Sequence, residues 1–220
     1  MNYNQMIDHT YLKPEATKKD IDKLIAEAKQ YQFKTICVNS TWVRYAKEQL
    51  EGSGVGITSV VGFPLGAMIT QAKAFETKLA IEHGADEIDM VMNIGRFKQG
   101  DYESVLNDIK KVKEACKDHV LKVIIETALL SEKEIEEATK IVMKSGAEFI
   151  KTSTGFSFRG ANLRDIEIMK QTAGDTLLIK AAGGISNLDD LIAMQNAGAS
   201  RFGTSRSVAI IEGKEAKGGY

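Results

Sequence analysis

Three segments of the chain repeat one local plan: HGADEIDMV (83–91), SGAEFIKTS (145–153) and AGASRFGTS (197–205). In each, a glycine closes an amphipathic helical pattern, a short Ala-led link follows, and an apolar strand begins. A glycine there supplies the left-handed backbone that stops a helix, so Gly84, Gly146 and Gly198 are predicted helix stops, each leading directly into a strand. The same alternation runs the length of the chain. Strand-like runs occur at MID near residue 7, TICV, GITSVVGF, EIDMVM, LKVIIET, EFIKT, LLIKAA and SRFGT, which makes eight. Between most of them lie helical patterns such as TKKDIDKLIAEAKQY, TQAKAFETKLAIEHG, SEKEIEEATKIVMKSG and NLDDLIAMQNAG. Thr17 with Asp20 and Ser131 with Glu134 stand at the offset of a capping box, which marks two helix starts.

Strands joined through helices by brief links run parallel with right-handed crossovers, and eight such units close into a barrel. The expected fold is α/β, a single-domain (β/α)8 TIM barrel over residues 1–220 with a flexible C-terminal tail at about 212–220. An open doubly wound sheet is the alternative. Its dinucleotide-binding version lacks support, because no G-x-G-x-x-G follows the first strand.

Composition narrows the function. Hydrophobic residues make up 43% and charged residues 27% of the 220, with a formal net charge of -1. That balance argues against disorder and against electrostatic attraction to nucleic acid. The start MNYNQMIDHTYLKP has no apolar signal core and no later run approaches a membrane span, so a soluble, cytoplasmic protein without membrane partners is expected. Cys37 and Cys116 lie far apart without C-x-x-C spacing, and His9, His83 and His119 are equally scattered. Neither set suits a disulfide framework or a metal centre, so no metal is expected.

In a barrel, chemistry gathers at the C-terminal ends of strands and in the loops after them. This rule selects Asp8 and His9, Cys37 and Asn39, Asp89 and Asn93, Glu126 and Thr127, Lys151 to Thr154, Lys180, and the loops GGIS and GTSRS. Lys151 and Lys180 end successive predicted strands, which brings two ammonium groups towards one interior. For one isolated strand-end lysine, snorkelling to solvent explains as much as function does. Two on adjacent strands, both in apolar surroundings, are costly without a purpose. An unperturbed lysine is neutral in only about 0.04% of molecules at pH 7. Desolvation and a second ammonium disfavour the charged form, and bringing the pKa to about 7 would cost about 4.6 kcal/mol and release a nucleophilic amine. Such an amine attacks carbonyls, which points to carbon–carbon bond chemistry through an imine. Asp89, with apolar neighbours alternating about it in EIDMVMN, points inward, either as a proton carrier or as a structural counter-charge. The loops Gly183–Ser186 and Gly203–Ser207 follow late strands and lead towards helices, where backbone N–H groups attract phosphate. Gly183, Gly184, Gly203, Thr204, Ser205 and Arg206, with Thr152 beside the lysine, are therefore candidates for holding a phosphorylated substrate. Cys37 has no histidine placed to activate it and reads as a buried thiol.

With IDHT, KP, CVN, VVGFPLGA, AFET, GADEIDMVMNIG, KVIIET, KTSTGF, KAAGGI and GTS in this order, the sequence resembles the deoxyribose-phosphate aldolase family from about Ile7 to Ser207. The resemblance implies reversible cleavage of 2-deoxy-D-ribose 5-phosphate to D-glyceraldehyde 3-phosphate and acetaldehyde through a lysine Schiff base, without metal or organic cofactor. It implies that Lys151 forms the Schiff base, that Lys180 depresses the Lys151 pKa, and that Asp89 handles protons. A homodimer is a family-level expectation. It also implies that a terminal tyrosine, here Tyr220, takes part in proton transfer, whereas Gly218 and Gly219 by themselves suggest only a disordered end.

The chain departs from the family pattern in three places. Ser157-Phe158-Arg159 stands where small residues and glycines are usual, Ser186 replaces a frequent arginine, and Arg206 occupies a place that is commonly small. Arg206 either replaces the missing charge near the phosphate or is simply solvated. Two other functions fit the residues: another class I phosphosugar aldolase or transaldolase, and a phosphosugar-binding barrel without catalysis. The trio Asp89, Lys151 and Lys180 argues against the second.

Overall fold

A computed structural model of the chain describes residues 2–214. The eight predicted strands form one closed, all-parallel barrel in chain order. They are β1 (Ile7–Thr10), β2 (Thr35–Val38), β3 (Gly56–Val61), β4 (Glu87–Val91), β5 (Val120–Ile124), β6 (Phe149–Lys151), β7 (Leu178–Ala182) and β8 (Arg201–Thr204). β1 pairs with both β2 and β8, which closes the ring. Around it lie α1 (Lys18–Tyr31), α2 (Val43–Leu50), α3 (Thr70–Glu82), α4 (Ile94–Lys98), α5 (Tyr102–Cys116), α6 (Glu132–Met143), α7 (Leu163–Ala173), α8 (Leu188–Asn196) and α9 (Ser207–Ile211).

Local chemistry sets the element ends as expected. The Asp20 carboxylate accepts from the Thr17 backbone N–H at 2.8 Å, and Glu134 does the same for Ser131 at 2.8 Å. Gly84, Gly146 and Gly198 have φ of +108°, +86° and +121°, which a side chain would strain. Of the expected tail, residues 212–214 are described. Glu212 accepts a hydrogen bond from the Tyr31 hydroxyl, which ties this end to α1.

Successive strand residues face opposite sides of the sheet, and here the two sides differ in kind. Ile36, Val38, Ile57, Ile88, Met90, Leu121, Val123, Ile150, Ile179 and Phe202 belong to one large apolar cluster that includes the inner faces of the helices. Burying each such side chain contributes about 1.5–3 kcal/mol, so this outer layer holds the barrel together. The other parity puts Asp8, Thr35, Thr58, Glu87, Asp89, Lys122, Lys151, Lys180 and Arg201 inside, all buried. A barrel interior is more often filled with branched aliphatic residues. Apolar residues at this parity include Val91, Ile124 and Phe149, and a small cluster of Leu12, Cys37 and Val60 with Phe63 against it.

Candidate active site

Strand register brings the predicted residues together. Lys151 stands opposite Lys180 across β6 and β7, and Asp89 stands opposite Lys122 across β4 and β5. Lys151 is the last residue of β6. Lys180, expected at a strand end, is in the middle of β7, which places it deeper. The Asp89 carboxylate joins the three lysines: Oδ2 accepts from Lys151 Nζ and Lys180 Nζ, each at 2.7 Å, and Oδ1 accepts from Lys122 Nζ at 2.7 Å. Lys180 also donates to Asp8 Oδ2. Gly203 on β8 makes room for this, since a Cβ there would come within 3.0 Å of Lys180 Cε.

These contacts shift the two lysines in opposite directions. Burial lowers the Lys151 pKa below the ordinary lysine value; Asp89 opposes the shift and the Lys180 charge adds to it. Burial also works against the Lys180 charge, but the Asp8 and Asp89 carboxylates outweigh it and hold its pKa above the ordinary value. Burial would raise the pKa of Asp89, yet the charges of Lys122, Lys151 and Lys180 hold it well below the usual carboxylate range. The site is therefore an ionised carboxylate, a firmly charged Lys180 and a Lys151 that gives up its proton more readily.

Lys151 is only 3% exposed, and what it reaches is a cavity of about 250 Å3 at the C-terminal mouth of the barrel. Thr154, Gly155, Gly183, Gly184, Gly203, Thr204, Ser205, Ser186 and Arg206 complete much of the wall. The loops after β6 and β7 touch at their glycines, because a Cβ on Gly160 would lie 2.3 Å from the Gly183 carbonyl carbon. Gly183 and Gly184 have φ of +71° and +75°. Two residues singled out in the sequence meet here, since Arg206 Nη1 donates to Ser186 Oγ at 2.8 Å. Arg206 is thus held at the cavity wall by Ser186. The third departure is also built in. Arg159 Nη1 donates to Asp165 Oδ2 at 2.6 Å and Nη2 to the Thr127 carbonyl at 2.9 Å, while Phe158 is 78% exposed.

Several strand-end candidates serve the fold instead. Thr152 is a correction: its parity is opposite to that of Lys151, and its hydroxyl accepts from the Ala182 N–H at 3.1 Å, so it extends the sheet pairing and does not line the cavity. His9 faces outward, with Nε2 2.9 Å from Glu27 and Nδ1 3.0 Å from Ser207 Oγ. Asn93 Oδ1 caps α4 by accepting from Arg96 N at 3.1 Å. Asn39 Nδ2 donates to the Leu12 carbonyl at 3.2 Å. Glu126 accepts from the Thr154 N–H at 3.2 Å and from its hydroxyl. Cys37 is buried inside the barrel, and burial pushes its thiol pKa up, as suits an inert thiol. Tyr220 lies outside the described residues.

The sequence reading missed the layer beneath. Lys122, Glu87 and Arg201 are buried inside the barrel with Thr35 and Thr58. Each occupies the inward parity of its strand; Glu87 lies two residues from Asp89 on β4 and Arg201 two from Gly203 on β8, and that period-two spacing is the signal for these two. A larger cavity of about 620 Å3 opens at the opposite, N-terminal end, with Lys34, Thr35, Lys47, Asp86 and Glu87 in its wall. It is distant from Lys151, and its wall offers charges without a grouped nucleophile and base. Among the described residues no three His, Cys, Asp or Glu side chains gather as a metal site, and no helix is long and apolar enough to cross a membrane.

Comparison with known proteins gives the family of the chain. The sequence model of the DeoC/LacD family aldolases matches residues 3–210. The chain is 65% identical over 220 residues to the deoxyribose-phosphate aldolase of Mycoplasmopsis pulmonis, covering 100% of both chains. Its structure is similar to that of a protein described as a putative deoxyribose-phosphate aldolase from Coccidioides immitis, with a TM-score of 0.94 and 41% identity over 96% of this chain and 85% of that one. It is also similar to the tetrameric deoxyribose phosphate aldolase of Aeropyrum pernix, with a TM-score of 0.89 and 30% identity over 95% of this chain and 89% of that one.

Proposed function

The chain belongs to the DeoC/LacD family of aldolases, and from that premise we propose that it cleaves 2-deoxy-D-ribose 5-phosphate reversibly to D-glyceraldehyde 3-phosphate and acetaldehyde through an imine on Lys151. The observation that carries the assignment is Lys151 Nζ at the wall of the mouth cavity, 2.7 Å from an Asp89 oxygen that it shares with Lys180.

In this reading the neutral Lys151 amine attacks C1 of the open-chain sugar, and loss of water leaves an iminium. The positive nitrogen then accepts the electron pair of the C2–C3 bond as the C3 hydroxyl loses its proton. This releases D-glyceraldehyde 3-phosphate and leaves an enamine. Protonation at C2 and hydrolysis return acetaldehyde and the free amine. Asp89 is the carboxylate placed to pass these protons through a water, and Lys180 keeps Lys151 from holding its own proton. Backbone groups at Gly183, Gly184, Gly203, Thr204 and Ser205, with the Arg206 guanidinium, are proposed to receive the phosphate. Tyr220 is kept as a proton-transfer candidate on the resemblance alone. A cytoplasmic enzyme with a phosphosugar as its ligand belongs to the same proposal, and so does a homodimer.

The test is to incubate the protein with acetaldehyde and borohydride and to locate the reduced adduct by mass spectrometry. One added ethyl group on Lys151 is expected. An unmodified Lys151 with an adduct on another lysine would overturn the assignment.

A further inference from the structure

The inside of the barrel is a charge balance that can be counted. Four bases face inward from consecutive strands: Lys122 on β5, Lys151 on β6, Lys180 on β7 and Arg201 on β8. Three carboxylates face them, Asp8 on β1 and Glu87 and Asp89 on β4. β2 and β3 contribute Thr35, Cys37 and Thr58, which carry no charge at neutral pH. Glu126, on the rim after β5, directs its carboxylate at Thr154 and makes no ion pair among the described residues.

The seven charged groups form one connected column. Arg201 bonds Glu87 at 3.0 Å and Asp8 at 2.7 Å. Lys122 bonds Glu87 at 2.6 Å and Asp89 at 2.7 Å, with Asp8 at 3.8 Å. Asp89 then reaches Lys151 and Lys180. The column begins in the wall of the N-terminal cavity, at Glu87, and ends in the wall of the mouth cavity, at Lys151.

With every group ionised the column holds one positive charge more than it can match, and an unmatched charge buried in a protein is costly. The surplus disappears when one base gives up its proton. Arginine does not do so in proteins. Lys122 faces three carboxylates and Lys180 two, whereas Lys151 touches only Asp89, which the other two lysines also use. We propose that Lys122, Arg201 and Glu87 are positioning residues for charge: by fixing the interior at four bases to three acids, they make Lys151 the free amine without touching substrate. This rests on the reading of Lys151 as the imine-forming residue. The lowered Lys151 pKa and the raised values for Lys180 and Arg201 agree in direction. The mechanism differs from repulsion by Lys180 alone, because Lys122 and Arg201 act through the carboxylates.

The experiment measures the pH dependence of adduct formation on Lys151 with acetaldehyde and cyanoborohydride, in the wild type and in Lys122→Met, Arg201→Met and Glu87→Gln. Removing a base balances the interior with Lys151 protonated, so the midpoint for Lys122→Met and Arg201→Met should move alkaline by about 1–2 pH units. Trapping at pH 7 then slows about 10- to 100-fold. Glu87→Gln removes an acid, increases the surplus, and should move the midpoint the other way. A structural role would not give opposite signs. If Lys122→Met does not fold, the near-isosteric Glu87→Gln and Arg201→Met each carry a sign of their own. Unmoved midpoints, or shifts in one direction for both classes, would overturn the proposal while leaving Lys151 as the reacting residue. An adduct elsewhere in the wild type would instead overturn the assignment of Lys151.

Discussion

Among the lysines buried beside a carboxylate, Lys73 and Lys151 make the plainest contrast, because one is closed in and the other reaches a cavity. Lys73, on α3, donates to Asp108 Oδ2 at 2.6 Å and to the Val91 carbonyl at 2.9 Å, tying α3 to α5 and to the end of β4. Lys151 makes a comparable 2.7 Å contact with Asp89. Burial lowers the pKa of both, with a carboxylate opposing it in each case. A depressed pKa therefore does not by itself identify a nucleophile. Two other features separate the sites. Lys73 is matched one to one with Asp108, whereas Lys151 shares its carboxylate with Lys122 and Lys180. Lys73 is also sealed under the chain at Gly62, where a Cβ would lie 3.0 Å from its Cε, whereas Lys151 reaches the mouth cavity.

The strongest way to break this contrast is to delete the proposed nucleophile. Lys151→Ala should reduce turnover of the deoxyribose phosphate to the uncatalysed background and abolish the acetaldehyde adduct, because no other amine combines access with surplus charge. An adduct at Lys73 in that variant would show that burial alone creates the nucleophile.

The reverse test removes the counter-ion of the structural lysine. Asp108→Ala leaves a buried ammonium unpaired and should cost about 3–5 kcal/mol of folding stability in denaturant titrations. The pH midpoint of adduct formation on Lys151 should not change. A shifted midpoint would mean that the two lysines share one electrostatic system.

A smaller effect sharpens the account of the reactive site. Lys180→Leu removes the like charge and leaves Asp89 freer to attract the Lys151 proton, and both changes raise the Lys151 pKa. Activity that rises as Lys151 deprotonates should then begin to rise at higher pH, by about 1 pH unit, with roughly tenfold less turnover at pH 7. The burial contribution to Lys151 remains in this variant. A pH–rate profile identical to the wild type would remove Lys180 from the mechanism.

What could be read from the sequence follows from how strongly each feature is patterned. All eight strands were legible, because runs such as TICV and EIDMV are buried on both faces and the helices between them are amphipathic. Lys151, Lys180 and Asp89 were legible because charges inside such runs stand out. Lys122 and Arg201 were not legible from strand ends, because Lys122 lies in the middle of β5 and Arg201 at the start of β8, although both face inward. Thr152 failed for the converse reason: next to Lys151 in sequence, it faces the other side of the sheet. Lys73 gave no signal, since a lysine on a helix is solvated far more often than it is buried against a neighbouring helix.

The contact between Gly160 and Gly183 also ties the two loops into one wall. From Lys151 to Thr154 the backbone follows the barrel, and at Gly160 it is pinned to the neighbouring loop, while Phe158 between them projects into solvent. A side chain at Gly160 would have to push the backbone at Gly183 aside, so the shape of the mouth cavity is set from both loops at once.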